Sequence, residues 1–139
     1  LGHDPYPAPS FHPEGFRWAE LGELLERAAV VTLHSPSTGR PIIDAAAIER
    51  MQPGSYLVNT ARAGLVDADA LLAALENGKL AGYAVDAYEQ EPPLDRRLVE
   101  HPSVIATPHI GGYTAESVSR AAMGAARNLL AALEEESNG

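Results

Sequence analysis

Apolar residues along this chain follow two alternating patterns, short continuous runs and longer stretches spaced three or four apart. The run Ala28-Ala29-Val30-Val31-Thr32-Leu33, closed by His34-Ser35-Pro36, predicts a strand buried on both faces. Further runs predict buried strands over 55–59, 80–85 and 103–106. Between the runs the spacing becomes that of amphipathic helices. Leu21, Leu24 and Leu25 mark a helix over 20–27. Asp44 is placed to cap a second, which carries Ile48 and Met51 and stops near Pro53. Asp67 is placed to cap a third, with Ala70, Leu71, Ala74 and Leu75 on one stripe and Asn77-Gly78 at its end. A last helix begins near Thr114 and carries Val118, Ala122, Ala125, Leu129 and Leu133. Its polar end, 134–139, is expected to fray. Residues 4–15 hold four prolines, Pro5, Pro7, Pro9 and Pro13, and read as a surface loop.

Strands alternating with helices predict an α/β fold, a doubly wound parallel sheet with helices on its faces. Such sheets bind ligands beyond the carboxyl ends of their strands. That rule selects four segments: His34-Ser35-Pro36, 59–64, 86–91 and 107–112.

Composition narrows the classes without choosing among them. The 139 residues suffice for one domain with a real core, and 45% apolar against 21% charged residues is ordinary for a globular protein. A formal net charge of −9 argues against nucleic acid and anionic membranes as partners. No apolar run approaches the ~20 residues that span a bilayer. There is no cysteine, so neither a disulfide framework nor thiolate chemistry is available. These features describe an acidic, soluble, cytoplasmic domain. The five histidines, His3, His12, His34, His101 and His109, form no pair or cluster with metal-ligand spacing, so no metal site is expected.

Three ionisable residues stand in the selected segments. Arg62 follows the second strand; its guanidinium is a planar fork of donors matched to a carboxylate. Glu91 lies in the acidic loop Asp86-Ala87-Tyr88-Glu89-Gln90-Glu91-Pro92. His109 stands in Thr107-Pro108-His109-Ile110-Gly111-Gly112, between a rigid proline and a glycine pair. Each has a plain alternative: a surface salt bridge for Arg62, a solvated charge cluster for Glu91, a structural histidine for His109. Together they make a set that could interconvert an alcohol and a ketone beside a carboxylate. Arginine would grip, histidine would move the proton, and a carboxylate partner would fix the imidazole tautomer and favour its charged form. Tyr88, Tyr113 and Trp18 read as packing or loop-anchoring aromatics.

Four segments in this order and spacing, His34-Ser35-Pro36-Ser37-Thr38, Asn59-Thr60-Ala61-Arg62-Ala63-Gly64-Leu65-Val66-Asp67, Asp86 through Pro92, and Thr107 through Gly112, resemble the D-isomer-specific 2-hydroxyacid dehydrogenases. The resemblance covers essentially the whole chain. It implies a Rossmann-like fold, NAD as cofactor and a small 2-oxoacid or 2-hydroxyacid as substrate. It further implies that Arg62 binds the substrate carboxylate, that His109 is the acid/base, and that Glu91 pairs with it. Asp86 would contact the nicotinamide carboxamide. Asp4, with Pro5 beside it, would hold the adenosine ribose and select NAD over NADP. The chain around His34, Ser35, Pro36, Thr60, Ala61 and Gly111, with Arg62 and His109, would line the cofactor cleft. A homodimer is implied as well. Phosphite dehydrogenases and NAD-sensing corepressors share the arginine, glutamate and histidine, so both stay open; formate enzymes of the group carry glutamine in place of Glu91.

Two departures from the pattern carry expectations. Ala63 stands where the family usually has glycine, and a positive φ there would cost about 1 kcal/mol. No two glycines stand two apart, so the Gly-x-Gly-x-x-Gly phosphate turn is absent from the chain. Residues 1–139 are therefore expected to be the later part of a dinucleotide-binding domain that lacks its first strand. The substrate domain is expected outside the chain, and the chain is expected not to bind NAD tightly or turn over by itself.

Overall fold

The computed structural model describes residues 1–11 and 13–137; His12, Asn138 and Gly139, which figure in the expectations above, lie outside the described residues. The chain divides into two compact units, Leu1–Pro108 and His109–Gly139. The first unit holds helix α1 (Leu21–Arg27), strand β1 (Val30–Leu33), α2 (Ala45–Arg50), β2 (Ser55–Asn59), a 3-10 turn (Ala63–Leu65), α3 (Ala68–Glu76), β3 (Leu80–Val85) and β4 (Val104–Ala106). The second holds α4 (Ala115–Ser137), whose backbone stays helical through 134–137, where fraying was expected. No helix among the described residues is long and apolar enough to cross a membrane.

All strand pairs are parallel, in the order β1-β2-β3-β4. Both predicted caps form. The Asp44 carboxylate accepts from the Ala47 N–H at 2.8 Å, and Asp67 accepts from Ala70 at 3.0 Å. Each satisfies a donor that the helix start would otherwise leave unpaired. Helix α3 ends where predicted, with Asn77 at the C-cap and Gly78 at φ 75°. Only a residue without a Cβ takes that conformation freely.

Register sets the core. Val31, Leu57, Tyr83 and Val104 lie in one row, and Leu33, Asn59, Val85 and Ala106 in the next. Side chains alternate across a strand, so both rows share a face. Against that face lie Leu25 of α1, Ile48 of α2 and Leu71 and Leu75 of α3, in one buried cluster with Leu57. Burying each leucine contributes about 1.5–3 kcal/mol.

The opposite face corrects one expectation. Strands β1 and β2 are not buried on both sides: β1 alternates exposed and buried, Val30 is 57% exposed, and Tyr56 and Ile105 are exposed as well. The physical reason is that α1, α2 and α3 all pack on the other side. An apolar run without alternation therefore announced a strand, but not how many of its faces are covered.

Candidate active site

The turn that carries Arg62 is built from a buried polar residue. Asn59 ends β2 with no exposed surface. Its Oδ1 accepts from the Ala61 N–H at 3.1 Å, and its Nδ2 donates to the Arg62 carbonyl at 2.9 Å. On the neighbouring strand, burial pushes the Tyr83 hydroxyl up to about 12, while a hydrogen bond with the Asn59 side chain pulls the other way. Beyond this clamp the Arg62 side chain is exposed, its Nη1 donating to the Ala61 carbonyl at 2.6 Å. Thr60 is exposed beside it and Ala61 is half-buried. Ala63 enters the 3-10 turn, and the positive-φ cost considered for it does not arise: among the described residues His109 is the one non-glycine at positive φ.

The ends of β3 and β4 are tied to each other. Asp86 is 5% exposed and accepts from the Thr107 Oγ1 at 2.5 Å. The Asp86 N–H donates to the Asn59 carbonyl at 3.2 Å, which joins this point to the Arg62 turn. Two residues on, the Tyr88 hydroxyl donates to the Thr107 carbonyl at 2.8 Å, the loop-anchoring role expected of it. Burial raises the Tyr88 pKa, and the charges of Asp86 and Glu91 add to the shift. Glu91 is exposed in the same loop. A Cβ built on Gly64 would stand 3.5 Å from the Glu89 Oε1, so the loops after β2 and β3 are neighbours.

The remaining residues fall in two groups. His34 follows β1 at the same sheet edge; its Nε2 lies 3.0 Å from the Thr32 Oγ1, and the Ser35 hydroxyl donates to the Pro36 carbonyl. Asp4 and Pro5 follow a separate parallel bridge between Gly2 and Trp18. The Asp4 carboxylate is exposed and takes the Tyr6 N–H at 2.7 Å on Oδ1. In the second unit His109 is exposed at φ 54°, a left-handed conformation that costs a non-glycine residue about 1 kcal/mol or more. The strain sits on the histidine itself and not on Gly112, although Gly111-Gly112 was the place to expect backbone freedom. Among the described residues no group of three or more histidines, aspartates and glutamates could hold a metal ion.

In the first unit the fold thus gathers His34-Ser35-Pro36, Thr60-Ala61-Arg62, Asp86 and Glu91 at the carboxyl edge of the sheet, where open α/β sheets bind ligands. Asn59 and Thr107 belong to that edge too and were not among the expected site residues. Their only sequence signal is polarity at the ends of apolar runs.

The D-isomer specific 2-hydroxyacid dehydrogenase NAD binding domain matches residues 1–111. The chain belongs to that family. Its fold is Rossmann-like and its cofactor is NAD. The (S)-sulfolactate dehydrogenase of Chromohalobacter salexigens is 46% identical over 125 residues, covering 86% of this chain and 40% of the relative. The structure of a D-2-hydroxyisocaproate dehydrogenase superposes with a TM-score of 0.88 at 33% identity, covering 96% of this chain and 45% of that one. The D-lactate dehydrogenase of Aquifex aeolicus, solved with NAD and lactic acid, gives 0.85 at 30% identity with the same coverage. The chain spans 18% to 40% of the length of the first curated relatives it matches.

The residues present suit NAD. An exposed carboxylate at Asp4 can accept from ribose hydroxyls and would repel a 2′-phosphate. A buried carboxylate at Asp86, anchored by Thr107, offers an acceptor held still at the strand end.

Proposed function

We propose that the whole protein containing this chain is an NAD-dependent oxidoreductase that interconverts a D-2-hydroxyacid and a 2-oxoacid. The observation that carries this reading is the exposed Arg62 guanidinium at the ligand-binding edge of an NAD-binding domain, on a turn fixed from within by Asn59. A buried clamp beneath an exposed cation is what anion recognition requires, because the side chain can then meet a carboxylate without reordering the backbone.

In this reading the Arg62 fork binds the substrate carboxylate and draws the adjacent carbonyl oxygen into place. NADH, when bound, supplies the hydride that reaches C2. His109 gives its ring proton to the carbonyl oxygen as charge develops there, and takes it back in the oxidative direction. Glu91 accepts from the other ring nitrogen, fixing the tautomer and favouring the charged ring. Asp86 would accept from the nicotinamide carboxamide, and Asp4 would take the ribose hydroxyls. We extend the proposal to a cytoplasmic homodimer, the location on composition and the dimer on the family resemblance alone. Because the chain spans 18% to 40% of the length of the first curated relatives it matches, we assign the substrate domain and the full cofactor grip to the rest of the whole protein.

A solved structure named for lactate and a sequence relative named for sulfolactate both match this chain, so the test spans side chains. The whole protein is mixed with NADH and a panel of 2-oxoacids from small to bulky and acidic, and in parallel with NAD and phosphite. Oxidation of NADH by at least one 2-oxoacid is expected. Turnover of phosphite alone, or NADH binding with no turnover of any 2-oxoacid, would replace this reading with a phosphite enzyme or a non-enzymatic NAD sensor.

A further inference from the structure

Asn59 stands out among the buried groups because the reaction outlined above does not use it. It is a neutral amide with no exposed surface, set into the otherwise apolar row of Leu33 and Val85. Such a group is costly unless its hydrogen bonds are made. Its bonds are made, and they run to one place: Oδ1 holds the Ala61 N–H and Nδ2 holds the Arg62 carbonyl. The Asn59 backbone carbonyl also takes the Asp86 N–H. A turn that needed only to reverse the chain could be closed by backbone alone. Here the peptide group before Ala61 and the one after Arg62 are both bolted to one rigid strand residue, so the Ala61-Arg62 pair is held at its two ends.

We infer that Asn59 is a positioning residue for substrate carboxylate binding: it fixes the direction in which the Arg62 side chain leaves the backbone. This rests on the assignment of Arg62 to the substrate carboxylate. It follows that the contribution of Asn59 to turnover passes through Arg62 and disappears when the guanidinium is gone.

A double-mutant cycle in the whole protein tests this, with the 2-oxoacid kcat/KM and the NADH Kd as readouts. Asn59→Ala is expected to lower kcat/KM about 10-fold or more, mostly through KM, because misplacement by an ångström is costly at a reacting centre. The NADH Kd should stay within about twofold of wild type. In an Arg62→Ala background the same change should cost less than about twofold. Asn59→Asp, nearly isosteric, keeps the acceptor for Ala61 and loses the donor to the Arg62 carbonyl; it gives the same cycle if the alanine variant does not fold. Equal losses in both backgrounds, or a loss shared by the NADH Kd, would show a merely structural residue and overturn the inference. Wild-type enzyme inactive on every 2-oxoacid would overturn the reading beneath it, a result visible before any variant is made. Active wild type with an unaffected Arg62→Ala variant would remove Arg62 from the carboxylate, and the inference with it.

Discussion

The helix-covered face of the sheet and its carboxyl edge are made from the same strands by opposite means. On the face, Val31, Leu57, Tyr83 and Val104 form a row that packs by shape against α1–α3, and Leu57 is fully buried. At the edge, Asn59, Asp86, Tyr88 and Thr107 are held by directed hydrogen bonds 2.5 to 3.2 Å long, two within the turn after β2 and the others crossing from strand to strand. Apolar packing tolerates small shifts of register or rotamer. A hydrogen-bonded edge does not, because a displaced partner leaves a buried polar group unpaired. The face therefore supplies stability and the edge supplies position.

Substitutions can separate the two. Leu57→Ala on the face should cost the whole protein about 2–5 kcal/mol, read by denaturant unfolding, while the molecules that stay folded keep their KM values. A changed KM with unaltered stability would erase the distinction. Thr107→Val at the edge removes the hydroxyl that holds Asp86. NADH binding is expected to weaken about tenfold, with a stability loss of about 1–2 kcal/mol, smaller than that of the core variant. A titration of NADH fluorescence checks it. At the joint between the two regions, Asp67→Ala uncaps α3 and should cost about 1 kcal/mol with no effect on cofactor affinity. On the outer side of the helix layer Glu26 pairs with Arg50 at 2.7 Å, both half-exposed. Glu26→Gln should shift stability by less than about 0.5 kcal/mol, since exposed pairs gain little over water.

The same contrast explains what could be read from the sequence. Helix caps at Asp44 and Asp67, the α3 stop at Asn77-Gly78 and the four strands are local features, written in neighbouring residues, and the chain folds as they indicate. Arg62, Asp86, Glu91 and His34 could be placed at one edge because parallel strands put all their carboxyl ends together. The bonds from Asn59 to its turn and from Thr107 to Asp86 were not legible. The second depends on which residue stands opposite which across β3 and β4, and register is a property of the pair. One-sided burial of Val30 and Tyr56 was not legible either, because a continuous apolar run looks alike whether one layer or two cover it. The left-handed backbone at His109 had no signal at all; the glycines that would accept it freely are its neighbours.

The central claim is that His109 moves the proton. Replacing it by alanine in the whole protein and following 2-oxoacid reduction in a single turnover, with NADH affinity measured on the same sample, tests this directly. The account predicts a rate lower by about 100-fold or more at unchanged NADH affinity. Near-normal reduction by the variant would contradict it.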